Sequence, residues 1–129
     1  MTQLGARLAA VAPGKVDIEL PFADELTQQH GFLHAGALLA ILDSACGYAA
    51  LTLTPARAEV LTVELKSNLL APVRSGTVKA RGEVIRSGRT LTVCHGDAFR
   101  VEGGKETHVA TMLATMITRR EDGGGEAQP

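Results

Sequence analysis

The chain reads as a single α+β domain in which a long antiparallel sheet wraps one helix. Three observations predict this. The apolar segment from about Ala35 to Leu53 is too long for a strand, is rich in Ala and Leu, and has no interior Pro. From Gly36 to Leu53 there is no Lys, Arg or Glu, and Asp43 is the one charge. A helix apolar on all sides must be covered on most of them. After Pro55 the chain turns into long β-branched runs separated by turn residues, the material of a curved sheet that supplies such cover.

The elements follow in order. Residues 7–12 and 15–21 flank Pro13-Gly14, a turn pair. Val16, Ile18 and Leu20 alternate with Asp17 and Glu19, the period of a half-buried strand. Residues 24–31 are polar and irregular, the helix comes next, and Thr54-Pro55 ends it, because the residue before a proline avoids the helical region. Residues 58–71 alternate again. Turn signals at Arg74-Ser75-Gly76, Ser87-Gly88 and Gly103-Gly104 set off TVKARGEVIR, RTLTVCHGDAFRV and ETHVATMLATMIT, which form a meander joined by hairpins. One domain over residues 1–120 results, with no internal repeat or linker. The Gly-rich, polar residues 121–129 are expected to be disordered.

A chain of 129 residues can bury a real core, and 45% apolar with 21% charged residues is ordinary for a soluble globular protein. Aromatics are 3% and Trp is absent, so the core must be Ala, Leu and Val. A formal net charge of −1 and so few stacking rings argue against a nucleic-acid partner. No run approaches the roughly 18 apolar residues of a membrane span, and the N-terminus has no signal-like apolar stretch. Cys46 and Cys94 stand alone, which suits two free thiols in a reducing, cytoplasmic setting. Nucleophile-elbow, phosphate-loop and dinucleotide motifs are missing. His30 and His34 are four apart, but Gly31-Phe32-Leu33 lies between them without the glutamate of a zinc helix, so no metal is expected.

Asp43 is the informative residue, since burying an unpaired carboxylate costs several kcal/mol. On the helical wheel it shares a face with Gly36, Leu39, Ala40, Gly47 and Ala50, mostly small side chains that admit a close approach to the backbone. Leu38, Ile41, Leu42 and Ala45 form the packing face. Asp43 is either a structural acid, paired with a buried Arg or capping a neighbouring element, or a reactive acid at the base of a crevice, its reactivity raised by desolvation. His34-Ala35-Gly36 opens the same helix, where free amides and the helix dipole favour an anion such as the oxyanion of an attacked carbonyl. Ala35 and Asp43 are separated by about 12 Å along the axis, at ~1.5 Å per residue. One small carbonyl cannot touch both from one helix, which points to a site at a subunit boundary in a dimer or a dimer of dimers.

The stretch HGFLHAGALLAILDSACGYAA resembles the signature of the hotdog-fold acyl-CoA thioesterases of the phenylacetate-degradation (PaaI) type. SNLLAPV, residues 67–73, is similar to a second family motif, and the resemblance covers about residues 5–119. It implies the hotdog fold, hydrolysis of a small, medium-chain or aryl acyl-CoA, and no cofactor. Asp43 would be general base or nucleophile. The Ala35 N–H would receive the thioester oxygen, with His34 and Gly36 beside it on the substrate. Gln28 falls where the family often has Asn, and would hold the carbonyl or the attacking water, a role open also to His30. Thr62 matches a water-orienting Ser or Thr, or is an ordinary strand residue. Arg86 and Arg89 flank Gly88 in a hairpin; they either contact the phosphates of coenzyme A or line a solvated turn.

Two other functions compete. An enoyl thioester hydratase or dehydratase of the same fold uses a His with an acid in a D-x-N-P-x-H setting, and DELTQQH lacks its Asn-Pro. A non-catalytic acyl-CoA binding module would keep the pocket without needing Asp43. The placed acid favours the hydrolase.

Overall fold

The computed structural model describes residues 4–120, so the expectation of a disordered 121–129 lies outside the described residues. Strands β1 (Arg7–Ala12) and β2 (Lys15–Pro21) precede helix α1 (Ala35–Leu51). Four longer strands follow: β3 (Glu59–Leu69), β4 (Thr77–Ser87), β5 (Leu91–Glu102) and β6 (Lys105–Arg119). Every pairing is antiparallel, and the strands lie in the order β1-β2-β4-β5-β6-β3. The meander β4-β5-β6 runs through the middle. β3 does not pair with β4, its successor in the chain, but reaches the far edge against β6.

Helix α1 lies across the inner face of this sheet. Val16, Ile18 and Leu20 from β2, Val78 and Ala80 from β4, and Met112 and Ala114 from β6 bury themselves against Leu38, Ile41, Leu42, Ala45 and Ala49. The alternating strands and the packing face of the helix therefore meet as their sequences require. The helix ends at Leu51 rather than Leu53, because Thr52 and Thr54 turn their hydroxyls back onto the carbonyls of Ala49 and Leu51.

The helix is covered on most sides, as expected, but one stripe is left open. Leu39, Ala40, Asp43, Ser44 and Gly47 are only half-buried, and Gly36, Tyr48 and Leu51 are exposed, so a stripe along the helix is open. A sheet folded against one side of a cylinder leaves the other side uncovered. Ala50, assigned by the wheel to the Asp43 face, is fully buried.

Two glycines let the helix settle directly on the sheet backbone. Gly82 of β4 faces Gly96 of β5 in register. A Cβ on Gly82 would sit 2.5 Å from the carbonyl carbon and oxygen of Ala45, and one on Gly96 would sit 3.1 Å from Cys46 Sγ and Leu42 Cδ2. Backbone cannot yield as a flexible side chain does. Gly82→Ala is therefore expected to lose at least about 2 kcal/mol of stability by overpacking, read from the midpoint of denaturant unfolding. An unchanged midpoint would mean that the helix does not rest there.

Candidate active site

Two clefts open between α1 and the β3 side of the molecule, one toward each end of the helix. The first has a volume of about 500 Å³ and is lined by Asp43, Gly47, Tyr48, Leu51, Thr62 and Met116, among others. Its floor is the small-residue stripe of the helix and its wall is the first half of β3, Glu59 to Thr62. Asp43 is half-buried here, not sealed in the core. Its Oδ1 accepts a 2.6 Å hydrogen bond from the Thr62 hydroxyl. That bond joins the middle of the helix to the edge strand through one carboxylate oxygen. No ion pair to Asp43 occurs among the described residues, so the structural reading of a paired acid finds no cation.

The second cleft, about 460 Å³, is lined by Gln28, Phe32, His34, Ala35, Leu69 and Val73, among others. A short chain of backbone bonds shapes it. Gln28 N–H donates to Phe32 O at 2.8 Å, His34 N–H to Leu26 O at 2.8 Å, and Leu33 N–H to Val73 O at 2.7 Å. His34 is the N-cap: its Nδ1 accepts from Gly36 N–H at 3.1 Å, while its carbonyl accepts from Ala37 N–H at 3.0 Å. The Gly36 amide is thereby spent on the cap, whereas the Ala35 N–H has no acceptor among the described residues. It is the free donor at the positive end of the helix dipole.

The remaining candidates divide. Gln28 lines the second cleft, its side-chain oxygen accepting from the backbone N–H of His30 and, at 3.4 Å, of Phe32, so its NH₂ end is the part left for a ligand. His30 is exposed on the loop and lines neither cleft. Arg86, next to the end of β4, and Arg89, in the β4–β5 turn, are exposed and also line neither. That turn is tied by Thr118 N–H to Thr90 O and by the Arg120 guanidinium to Arg89 O, which sets it at the Glu59 end of β3. Asp43 and Ala35 thus fall in different clefts of one chain. Sequence reasoning missed Ser44 and Tyr48, which stand four residues apart on the helix and line the Asp43 groove, and Phe32 in the lining of the other cleft.

An open antiparallel sheet wrapped on one helix, with an acid at mid-helix and a free amide at the helix start, defines a hotdog-fold protein. Residues 30–107 match the thioesterase superfamily, and the chain belongs to that family. A thioesterase family protein from Silicibacter pomeroyi has the same fold, with a TM-score of 0.89 and 48% identity over 94% of this chain and 89% of that one. A Saccharolobus solfataricus relative is 36% identical over 90 residues, 70% of this chain but 64% of its own length, so the match spans less than two thirds of that protein. The 1,4-dihydroxy-2-naphthoyl-CoA hydrolase of Listeria monocytogenes is 27% identical over 70% of this chain and 73% of its own.

Behind the site, Cys46 on the helix and Cys94 on β5 are free and fully buried. Burial first, then the neighbouring Cys94, Asp43 and Asp97, pushes the Cys46 thiol up from 9.0 to about 12, and burial pushes Cys94 to about 11. Both are raised, so the folded state holds protons that the unfolded chain releases above pH 9. Their contribution to stability is full below pH 9 and is lost as pH climbs toward 11–12. The fall in melting temperature between about pH 8 and about pH 10.5 should shrink in the double variant Cys46→Ala, Cys94→Ala. An equal fall in both proteins would contradict this.

Proposed function

We propose that the protein hydrolyses an acyl-CoA thioester to the free acid and CoA. The observation that carries this is Asp43, held by Thr62 at the mouth of an apolar groove on a helix whose first amide is free. The acyl group enters the groove beside Tyr48 and Leu51. Asp43 supplies the attacking oxygen: either it takes a proton from a water that adds to the thioester carbon, or its own carboxylate adds and water then cleaves the resulting acyl-Asp43 anhydride to release the acid. The Ala35 N–H receives the negative charge that develops on the thioester oxygen, Gln28 steadies the carbonyl or the water, and the CoA thiolate leaves. The groove and the motif resemblance suit a small, medium-chain or aryl acyl group of the phenylacetate-degradation type.

The working unit in this reading is a pair of chains. β3 is one of the two edges of the sheet, eleven residues long, and it mixes exposed apolar side chains (Leu61, Val63 and Leu65, 39–53% exposed) with the charges of Glu59, Glu64 and Lys66; its unpaired backbone can accept another strand. Two copies related by a two-fold axis across this edge would pair β3 with β3 antiparallel. The Asp43 groove borders the start of β3 and the Ala35 cleft borders its end. Antiparallel pairing therefore lays the Asp43 groove of one copy beside the Ala35 cleft of the other. Arg86 and Arg89 stand at that same end of β3, where they can offer cations to the phosphates.

Asp43→Asn keeps the shape and the Thr62 bond but removes the base or nucleophile. It is expected to lower kcat by at least about 100-fold across a panel of short, medium-chain and aryl acyl-CoA esters followed by thiol release, with the fold intact by circular dichroism. A variant that keeps its activity while melting much earlier would make Asp43 a structural acid. No hydrolysis by the parent protein on any ester would favour a binding module.

A further inference from the structure

The rim of the Ala35 cleft carries a cation that the sequence motifs did not single out. Leu33 N–H donates to Val73 O, so the loop before the helix and the segment after β3 run side by side. Their neighbours Phe32 and Arg74 are thereby brought together, and the Arg74 guanidinium lies over the Phe32 ring, 4.4 Å from its centroid. Phe32 is half-buried and lines the cleft, whereas Arg74 is exposed. Among the described residues Arg74 has no carboxylate within ion-pair distance, although Arg7, Arg81 and Arg100 each have one.

We propose that Arg74, held over the Phe32 ring, binds a phosphate of the pantetheine-bearing leaving group, a reading that rests on the thioester hydrolysis proposed above. A guanidinium loses much of its rotational freedom when stacked on a ring, and its fork of N–H donors stays free at the edge. Planar, paired donors without a competing carboxylate suit a phosphate ester. The position fits as well. With the acyl group in the Asp43 groove and the thioester oxygen at the Ala35 amide, the sulfur-bound arm leaves over the opposite rim, where Phe32 and Arg74 stand. The phosphate could belong to the nucleotide of CoA or to the phosphopantetheine arm of a carrier protein; the two share this chemistry.

Titration calorimetry with CoA, 4′-phosphopantetheine and pantetheine tests the assignment without relying on hydrolysis. Arg74→Gln should weaken CoA binding by about tenfold or more, the scale of a lost charge-assisted contact, and leave pantetheine binding unchanged. Arg74→Lys and Phe32→Leu should each cause a smaller loss, since one keeps the charge without the fork and the other keeps the volume without the ring. Arg74 dependence that persists with 4′-phosphopantetheine identifies the phosphate shared with carrier proteins; dependence confined to CoA identifies the nucleotide's. In turnover, Arg74→Gln should raise KM for acyl-CoA with kcat unchanged and should spare the acyl-pantetheine ester. Equal loss on phosphorylated and unphosphorylated ligands, or no loss on either, would overturn the proposal, as would an effect that follows a carboxylate on the acyl group. A parent protein that binds CoA through Arg74 but never hydrolyses its esters would overturn the proposed activity alone.

Discussion

An α-helix fixes the spacing of everything it carries. Here one helix carries both the acid and the free amide of the candidate site, about 12 Å apart along its axis at ~1.5 Å per residue. Most other features of the molecule can be read against that separation. Asp43 and Ala35 lie in two clefts rather than one. The strand that borders both clefts is an unpaired edge of the sheet, and Leu61, Val63 and Leu65 are exposed along it among charged and polar neighbours. A second copy on that edge would remove the separation, because it would set the acid of one helix against the amide of the other. The open stripe on the helix would then be covered too, and a half-buried carboxylate would become a desolvated one.

The fold was legible wherever a single element carries its own pattern. Alternation in VDIEL marks β2, the long apolar run marks the helix, and the glycine-bearing turns mark the hairpins of the central meander. Features that arise between elements were not legible. Gly82 and Gly96 look like two unremarked strand residues until the β4–β5 register places them side by side beneath Ala45 and Cys46. The position of β3 at the far edge is likewise a matter of pairing with β6, which no local pattern states.

The site divides along the same line. Asp43 announces itself as the one charge in an apolar run, and the start of the helix is visible from its flanking loop. The resemblance singled out Thr62 as a residue that orients water, but its hydrogen bond to Asp43 was not legible, since a threonine in a strand carries no signal of its own. The pairing of Phe32 with Arg74 spans two loops that only the fold brings together. His30 shows how closeness in sequence differs from placement in the fold. It stands close to the helix start in sequence, but Gln28 gathers the backbone amides of the loop and His30 is left at the surface.

The central claim is that each site takes its acid from one chain and its amide from another, and mixing two inactive variants tests it most directly. Ala35→Pro deletes the proposed oxyanion donor at a first helical position, where proline is tolerated. Asp43→Asn deletes the acid. Each alone should be nearly inactive. Unfolded together in equal amounts and refolded, about half of the dimers are mixed, and each mixed dimer holds one site with both lesions and one with neither. Acyl-CoA hydrolysis should return to about a quarter of the parent activity by that count and the two-fold symmetry. No recovery, with mixed dimers verified by native mass spectrometry, would contradict the shared site.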